Sequence, residues 1–225
     1  GYAYAKGTFE SILSGNGTVR ADGNVDVTNT WKGNSKVKLV PAAGGITAAY
    51  YKAGVNVAIA ETSTKAYAYI SGKLNISAKG NVNVKVTGNA DSSARIDGAV
   101  IEISNVAVAV NVVTSEVKAE QKAYIEGAGK NSAGYTGIVS ENGSITVESV
   151  LNVNASGVIG GNSAKKGISV SGIDGKASSA TAKAESVNIA YVNNGVLEAA
   201  RGKASISANT SSKTEAQALA PNFSL

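Results

Sequence analysis

Apolar side chains recur at every second position along most of this chain. Val82-Asn83-Val84-Lys85-Val86, Val106-Ala107-Val108-Ala109-Val110-Asn111-Val112, Leu151-Asn152-Val153-Asn154-Ala155 and Val187-Asn188-Ile189 all obey the rule. Such alternation places one set of side chains on one face of a β-strand. The bursts are rich in Val and Ile, whose branched Cβ suits a pleated surface. Ala is the strongest helix former. Even so, Ala180-Thr181-Ala182-Lys183-Ala184 and Ala204-Ser205-Ile206-Ser207-Ala208 alternate strictly. A helix would leave an i, i+3, i+4 stripe, and the best helical candidate is the short segment Val196 to Arg201. The expected fold class is all-β.

Gly, Asn, Asp and Ser separate the bursts and supply turns. The form Gly-x-(Ile/Leu/Val) returns at Gly17, Gly23, Gly72, Gly80 and Gly143, where glycine tolerates a sharp corner and a strand restarts. A larger phrase also returns. Val55-Asn56-Val57 leads to Ala68-Tyr69-Ile70, Val106-Ala107-Val108 leads to Ala123-Tyr124-Ile125, and Val187-Asn188-Ile189 leads to Ala204-Ser205-Ile206. The phrases start 51 and then 81 residues apart, which suggests short coils with loops inserted at corners. A sandwich or closed barrel shares this turn grammar. Small apolar residues, only 5% aromatics and Asn beside the turns favour a solenoid, in which stacked amides can form ladders. At about 22 residues per coil and about 4.8 Å between coils, the chain makes roughly ten coils. A single β-solenoid segment over residues 1–225, without a domain boundary, is the expected organisation.

Composition removes several chemistries. The chain has no Cys, His or Met, so disulfides, imidazole-based metal centres, thiol nucleophiles and Ser-His-Asp triads are out of reach. No cofactor is expected. Without Met, Gly1 is expected to lie inside a longer polypeptide. The net charge of +5 is spread over single Lys residues rather than basic clusters with interleaved aromatics, which argues against nucleic-acid binding. The longest uncharged run, Ser149 to Ala164, contains three Asn and three Ser and is too polar to span a membrane as a helix. No membrane insertion by this segment is expected.

Thr64-Lys65-Ala66-Tyr67-Ala68-Tyr69-Ile70-Ser71-Gly72, Lys122-Ala123-Tyr124-Ile125-Glu126-Gly127 and Gly80-Asn81-Val82-Asn83-Val84-Lys85-Val86 resemble the repeats of large filamentous adhesins of anaerobic bacteria. The resemblance is to the leukotoxin-type adhesins of fusobacteria and, more broadly, to filamentous haemagglutinins. It covers the chain from about Val55 to Ala208. It implies a right-handed parallel β-helix, export to the bacterial surface or medium, and a non-enzymatic part in host-cell attachment or leukotoxicity. The implied partners are a host-cell surface protein or glycan and neighbouring coils of the same polypeptide. The family offers no catalytic motif to carry across.

Two residue groups stand out as sites. Trp31, Tyr50, Tyr51 and Lys52 combine aromatics with cations, a pairing suited to sugar or protein recognition at a surface. The bland alternative is that they cover a coil end or a loop. Asp91 and Asp97 flank Arg95 and suggest a carboxylate pair for glycan chemistry, as in a carbohydrate-active β-helix such as a polysaccharide lyase or a glycan-binding module. Against that, residues six apart in a polar loop set no geometry. The sparse acids offer no metal set, and Gly160-Gly161-Asn162 lacks the Asp of a calcium-binding repeat.

Overall fold

The computed structural model describes residues 1–40, 47–97, 102–127, 137–160 and 169–218. Within them the chain is all-β and contains no helix. It forms ten strands: β1 (Tyr2–Ala21), β2 (Val25–Leu39), β3 (Thr47–Ala78), β4 (Val82–Ile96), β5 (Glu102–Glu126), β6 (Gly137–Ser140), β7 (Ile145–Ile159), β8 (Ser169–Asn193), β9 (Val196–Ala199) and β10 (Ala204–Ala218). Every pairing is parallel. The first sheet stacks β1, β3, β5 and β8, with β6 and β9 continuing from the end of β3. The second stacks β2, β4, β7 and β10 in the same chain order. Parallel neighbours need a long crossover. Here each sheet's crossover passes through the other sheet, as β1 leads to β2 and β3 to β4.

This connection explains the alternation. Parallel sheets are commonly covered on both faces by helices and then read as continuous apolar runs. These sheets share one core and turn their other faces to water. In β4 the inward set Val82, Val84, Val86, Gly88, Ala90, Ser92, Ala94 and Ile96 is buried, and each position between them is partly or fully exposed.

The strand pairing corrects the expected coil length. Asn24 and Asn81 sit 57 residues apart, Asn56 and Asn111 55, Asn89 and Asn152 63, Gln121 and Asn188 67. Register therefore advances by roughly three times the expected step, because eight of the ten strands run without a break for 15 to 32 residues. The phrase Ala68-Tyr69-Ile70 does pair with Ala123-Tyr124-Ile125, but the third member is Ala190-Tyr191-Val192 rather than Ala204-Ser205-Ile206. Within the helical candidate Val196 to Arg201, Val196–Ala199 is instead strand β9.

The core has two apolar clusters with a polar seam between them. The larger holds Val27, Trp31, Ile70, Ile76, Val84, Ile125, Val147 and Leu151 among others. The smaller holds Val37, Ala58, Ala60, Ala94, Ile96, Val113 and Ile159. Between them, hydroxyls link the two sheets. Ser35 and Thr62 share a 2.8 Å hydrogen bond, Ser92 donates to the Ala60 carbonyl at 2.7 Å, and Ser115 donates to the Ser92 carbonyl at 2.8 Å. A buried hydroxyl without a partner is costly; these satisfy one another. A second cross-core link joins Trp31 Nε1 to Gln121 Oε1 at 3.1 Å, while Gln121 Nε2 donates to Ser149 Oγ at 2.9 Å.

Two corners repeat from level to level. Gly72 and Gly127, with φ of 93° and 79°, stack at one of them. The Gly127 N–H donates to the carbonyl of Asn193, and Asn194 next to it carries a φ of 53°. At the other, the Asn24 side chain accepts the Asn81 backbone N–H at 2.8 Å, Asn81 accepts that of Ser144 at 2.8 Å, and Ser144 accepts that of Lys203 at 3.3 Å. Each level thus caps the corner of the next, which gives the Gly-x-(Ile/Val) grammar at Gly23, Gly80 and Gly143 its physical cause.

Candidate functional site

The outer face of the first sheet carries columns of register partners. One column runs Ile12, Tyr69, Tyr124, Tyr191. Its rings stack nearly parallel, with centroids 4.7 Å apart between Tyr69 and Tyr124 and 4.9 Å between Tyr124 and Tyr191. These distances follow the strand spacing, so the backbone ladder fixes the ring geometry. Burial, reinforced by the two flanking tyrosines, pushes the Tyr124 phenol up to about 12. Tyr67 lies one column away, with the Lys122 ammonium 5.8 Å from its ring centroid. Glu120 holds Lys122 at 2.8 Å and Lys65 at 3.4 Å. Lys122, followed by Tyr67 and Lys65, keeps the Glu120 carboxyl below its ordinary value against the opposing effect of burial. Four tyrosines, two lysines and one glutamate therefore form a half-buried amphipathic strip on a rigid sheet.

Trp31 is not part of any surface. Its side chain is 3% exposed, points into the core opposite Gly88 and donates to Gln121. The sequence places it among Lys and Asn, but alternation in β2 turns Lys32 outward and Trp31 inward. Tyr51 is 73% exposed in a part of β3 that, among the described residues, pairs only with β5. The side chains of Tyr50 and Lys52 lie outside the described residues.

Asp91 and Arg95 sit in strand β4 rather than in a loop, with Asp97 just beyond its end. Six strand residues separate the two acids by about 20 Å along the strand, too far to flank one glycosidic bond. Asp97 instead pairs with Arg95 and, at 3.2 Å, with Lys38. Burial would raise its carboxyl, but the hydrogen bonds from Arg95 and Lys38 prevail and hold it below the ordinary value. Among the described residues no three acids, His or Cys gather as a metal site. A cleft of about 490 Å³ beside β6 and β9 has Glu198 as the one ionisable group in its lining. No described helix is long and apolar enough to cross a membrane.

The tyrosine column was in plain view as three Ala-Tyr-(Ile/Val) phrases. What hid it was the register. Only offsets of 55 and 67 residues bring the three rings together.

Compared with known proteins, the chain matches no family model, no curated protein and no solved structure.

Proposed function

We propose that this chain is a β-solenoid segment of a secreted, filamentous adhesin-type bacterial surface protein, and that its tyrosine strip contacts a host-cell surface protein or glycan. The reading takes four coils of about 60 residues, wound right-handed as crossovers between parallel strands almost always are. One observation carries it: the same aromatic side chain stands on the outer face at three successive levels, Tyr69, Tyr124 and Tyr191. Core packing does not require an outward tyrosine at each level. Rigid aromatics with a neighbouring cation and a hydrogen-bonding hydroxyl are the groups that concentrate binding energy at interfaces. Mounted on a sheet, they lose little conformational freedom on contact. The catalytic alternative, a carbohydrate-active β-helix, draws no support from Asp91 and Asp97 at their separation along the strand.

The test is binding of the labelled chain to host leukocytes and epithelial cells, with dye release from leukocytes as the toxicity readout. The chain carrying Tyr69→Ser, Tyr124→Ser and Tyr191→Ser is expected to bind at least tenfold more weakly while keeping its β-sheet circular dichroism. Equal binding by both would remove the strip from the contact. No binding by either would leave a scaffold alone.

A further inference from the structure

We propose that the tyrosine column is a binding site for an elongated, flat aromatic molecule carrying a positive charge, which lies along the stack beside Ser14, Ser71 and Glu126. The inference rests on the reading of the strip as a contact surface and adds the chemistry of what it takes. The strip faces sideways, at right angles to the direction in which the strands stack. Further coils at either end would therefore lengthen the site without covering it. Tyr124 has a tyrosine ring against each of its faces, at interplanar angles of 7° and 1°. What the column offers a ligand is a wall of ring edges and hydroxyls.

Shape and charge both narrow the ligand. On one side of the wall the next outward column holds Glu10, Tyr67, Lys122 and Ile189, whose long side chains fill the space. On the other side it holds Ser14, Ser71, Glu126 and Asn193. Ser14 and Ser71 are short and hydrogen-bond to each other at 2.9 Å. Directly past this column the chain turns at Gly15, Gly72 and Gly127, each with positive φ. The two serines thus leave a ledge at the foot of the ring edges. At the next level Glu126 stands beside it, accepting from Asn193 at 3.5 Å. The wall advances by 4.7 and 4.9 Å from ring to ring. Ile12 adds one more strand spacing below, for a length of about 14 Å. A rigid molecule of two or three conjugated rings matches that length. It loses little torsional freedom on lying against the edges, in the edge-to-face contact that aromatic rings favour.

The acids set the sign of the ligand's charge. Lys65 and Lys122 are both held by Glu120. Glu10 and Glu126, one on either side of the wall, are exposed and stand in no ion pair among the described residues. Their field reaches the stack: after burial and the two flanking tyrosines, Glu126 and Glu10 are the remaining causes that raise the Tyr124 phenol. The next cation along β3, Lys73, lies past the Gly72 corner. A cationic ligand therefore gains from both carboxylates, and an anionic one is repelled by them.

The probe is thioflavin T, a flat aromatic cation whose fluorescence rises when its two halves are held coplanar, titrated into the whole chain without cells. Saturable enhancement is expected. The chain carrying Tyr69→Ser, Tyr124→Ser and Tyr191→Ser should bind the dye roughly tenfold more weakly or worse. Glu10→Gln combined with Glu126→Gln should weaken binding roughly threefold with unchanged circular dichroism. Both glutamates are exposed, so this pair decides the matter if the serine variant loses its sheet signal. Tyr51→Ser, outside the column, should leave the affinity as it is. Absence of saturable binding overturns the proposal. So does an affinity that survives the tyrosine or the glutamate changes, or one that Tyr51→Ser lowers as far as they do. Because no cell is present, a chain that fails to bind the dye leaves the host-cell contact standing. A chain that binds the dye but no cells keeps this site and loses that contact.

Discussion

The indole of Trp31 lies against Gly88, its register partner on the neighbouring strand, so closely that a methyl group on residue 88 would come within 2.3 Å of the ring. The largest side chain of the core fits because the next level supplies none. Phe9 closes the other side, stacked on the indole with centroids 6.3 Å apart. Gly88→Ala is therefore an overpacking change and is expected to cost about 1–3 kcal/mol. As the chain has a single Trp, its fluorescence reports this contact alone. The urea midpoint should fall and the native emission shift to the red. Trp31→Phe in the Gly88→Ala background should recover part of the loss. An unaltered midpoint would contradict the packing described here.

Gln121 tests the polar half of the core. It accepts from the indole and donates to Ser149, and it is fully buried. Gln121→Leu keeps the volume but leaves the indole N–H and the Ser149 hydroxyl short of a partner, at a cost of about 1–3 kcal/mol. Combining it with Trp31→Phe should cost less than the two changes added together, because the orphaned donor goes with the indole. Thermal unfolding of the four chains of that cycle would measure the coupling. Strict additivity would mean that the 3.1 Å bond contributes nothing.

These residues also show where a reading of the sequence stops. Strand, face and turn were legible, since Val82, Val84 and Val86 alternate and Gly80 begins their corner. The strand lengths were not. Thr62, Thr64, Ser92, Ser115, Gln121 and Ser149 all point inward, and a search for apolar inward positions ends a strand at each of them. For Thr62, Ser92, Ser115 and Gln121 the partners across the core lie 23 to 90 residues away, so no local window reveals that they are satisfied. The same distance effect concealed the tyrosine column. Period two gives the face of a residue, but only register gives its neighbours.

The corner glycines should separate by what lies beside them. At Gly72, φ is 93° and an added Cβ would sit 2.2 Å from the Gly15 carbonyl oxygen, a backbone atom that cannot swing aside. Gly72→Ala combines positive-φ strain with a clash and is expected to lose at least 1–3 kcal/mol or so. Asn194 meets the same demand for positive φ, at 53°, in a region where Asn is tolerated. Asn194→Gly exchanges that mild strain for greater unfolded-state freedom and should stay within about 0.5 kcal/mol of the parent. Melting temperatures of the two variants decide the matter. Similar losses in both would show that glycine at this corner is not needed for its φ.

Stability at high pH should follow the tyrosine column. The Tyr124 phenol is pushed up to about 12 by burial, with Tyr69 and Tyr191 adding to the effect. Tyr191 and Tyr67 are also raised, in each case chiefly by burial. A raised phenol means that the folded state holds its proton more tightly than the unfolded state, whose value is 10.0. The linked stabilisation is complete below pH 10 and drains away between pH 10 and about 12, as unfolded phenols ionise first. At low pH the sign reverses for the carboxylates. Glu120 and Asp97 titrate below their ordinary 4.5 and 3.8 in the fold, so their contribution is present above those values and lost as pH falls through the lowered ones. Urea midpoints across pH 8 to 12 should therefore decline, and Tyr124→Phe should flatten part of that decline while leaving the acid side unchanged. Phenolate absorbance of the native chain should show at least one tyrosine ionising well above the others. A single transition near pH 10 for all nine tyrosines would mean that the stacked rings are open to water and that the column has no influence on stability.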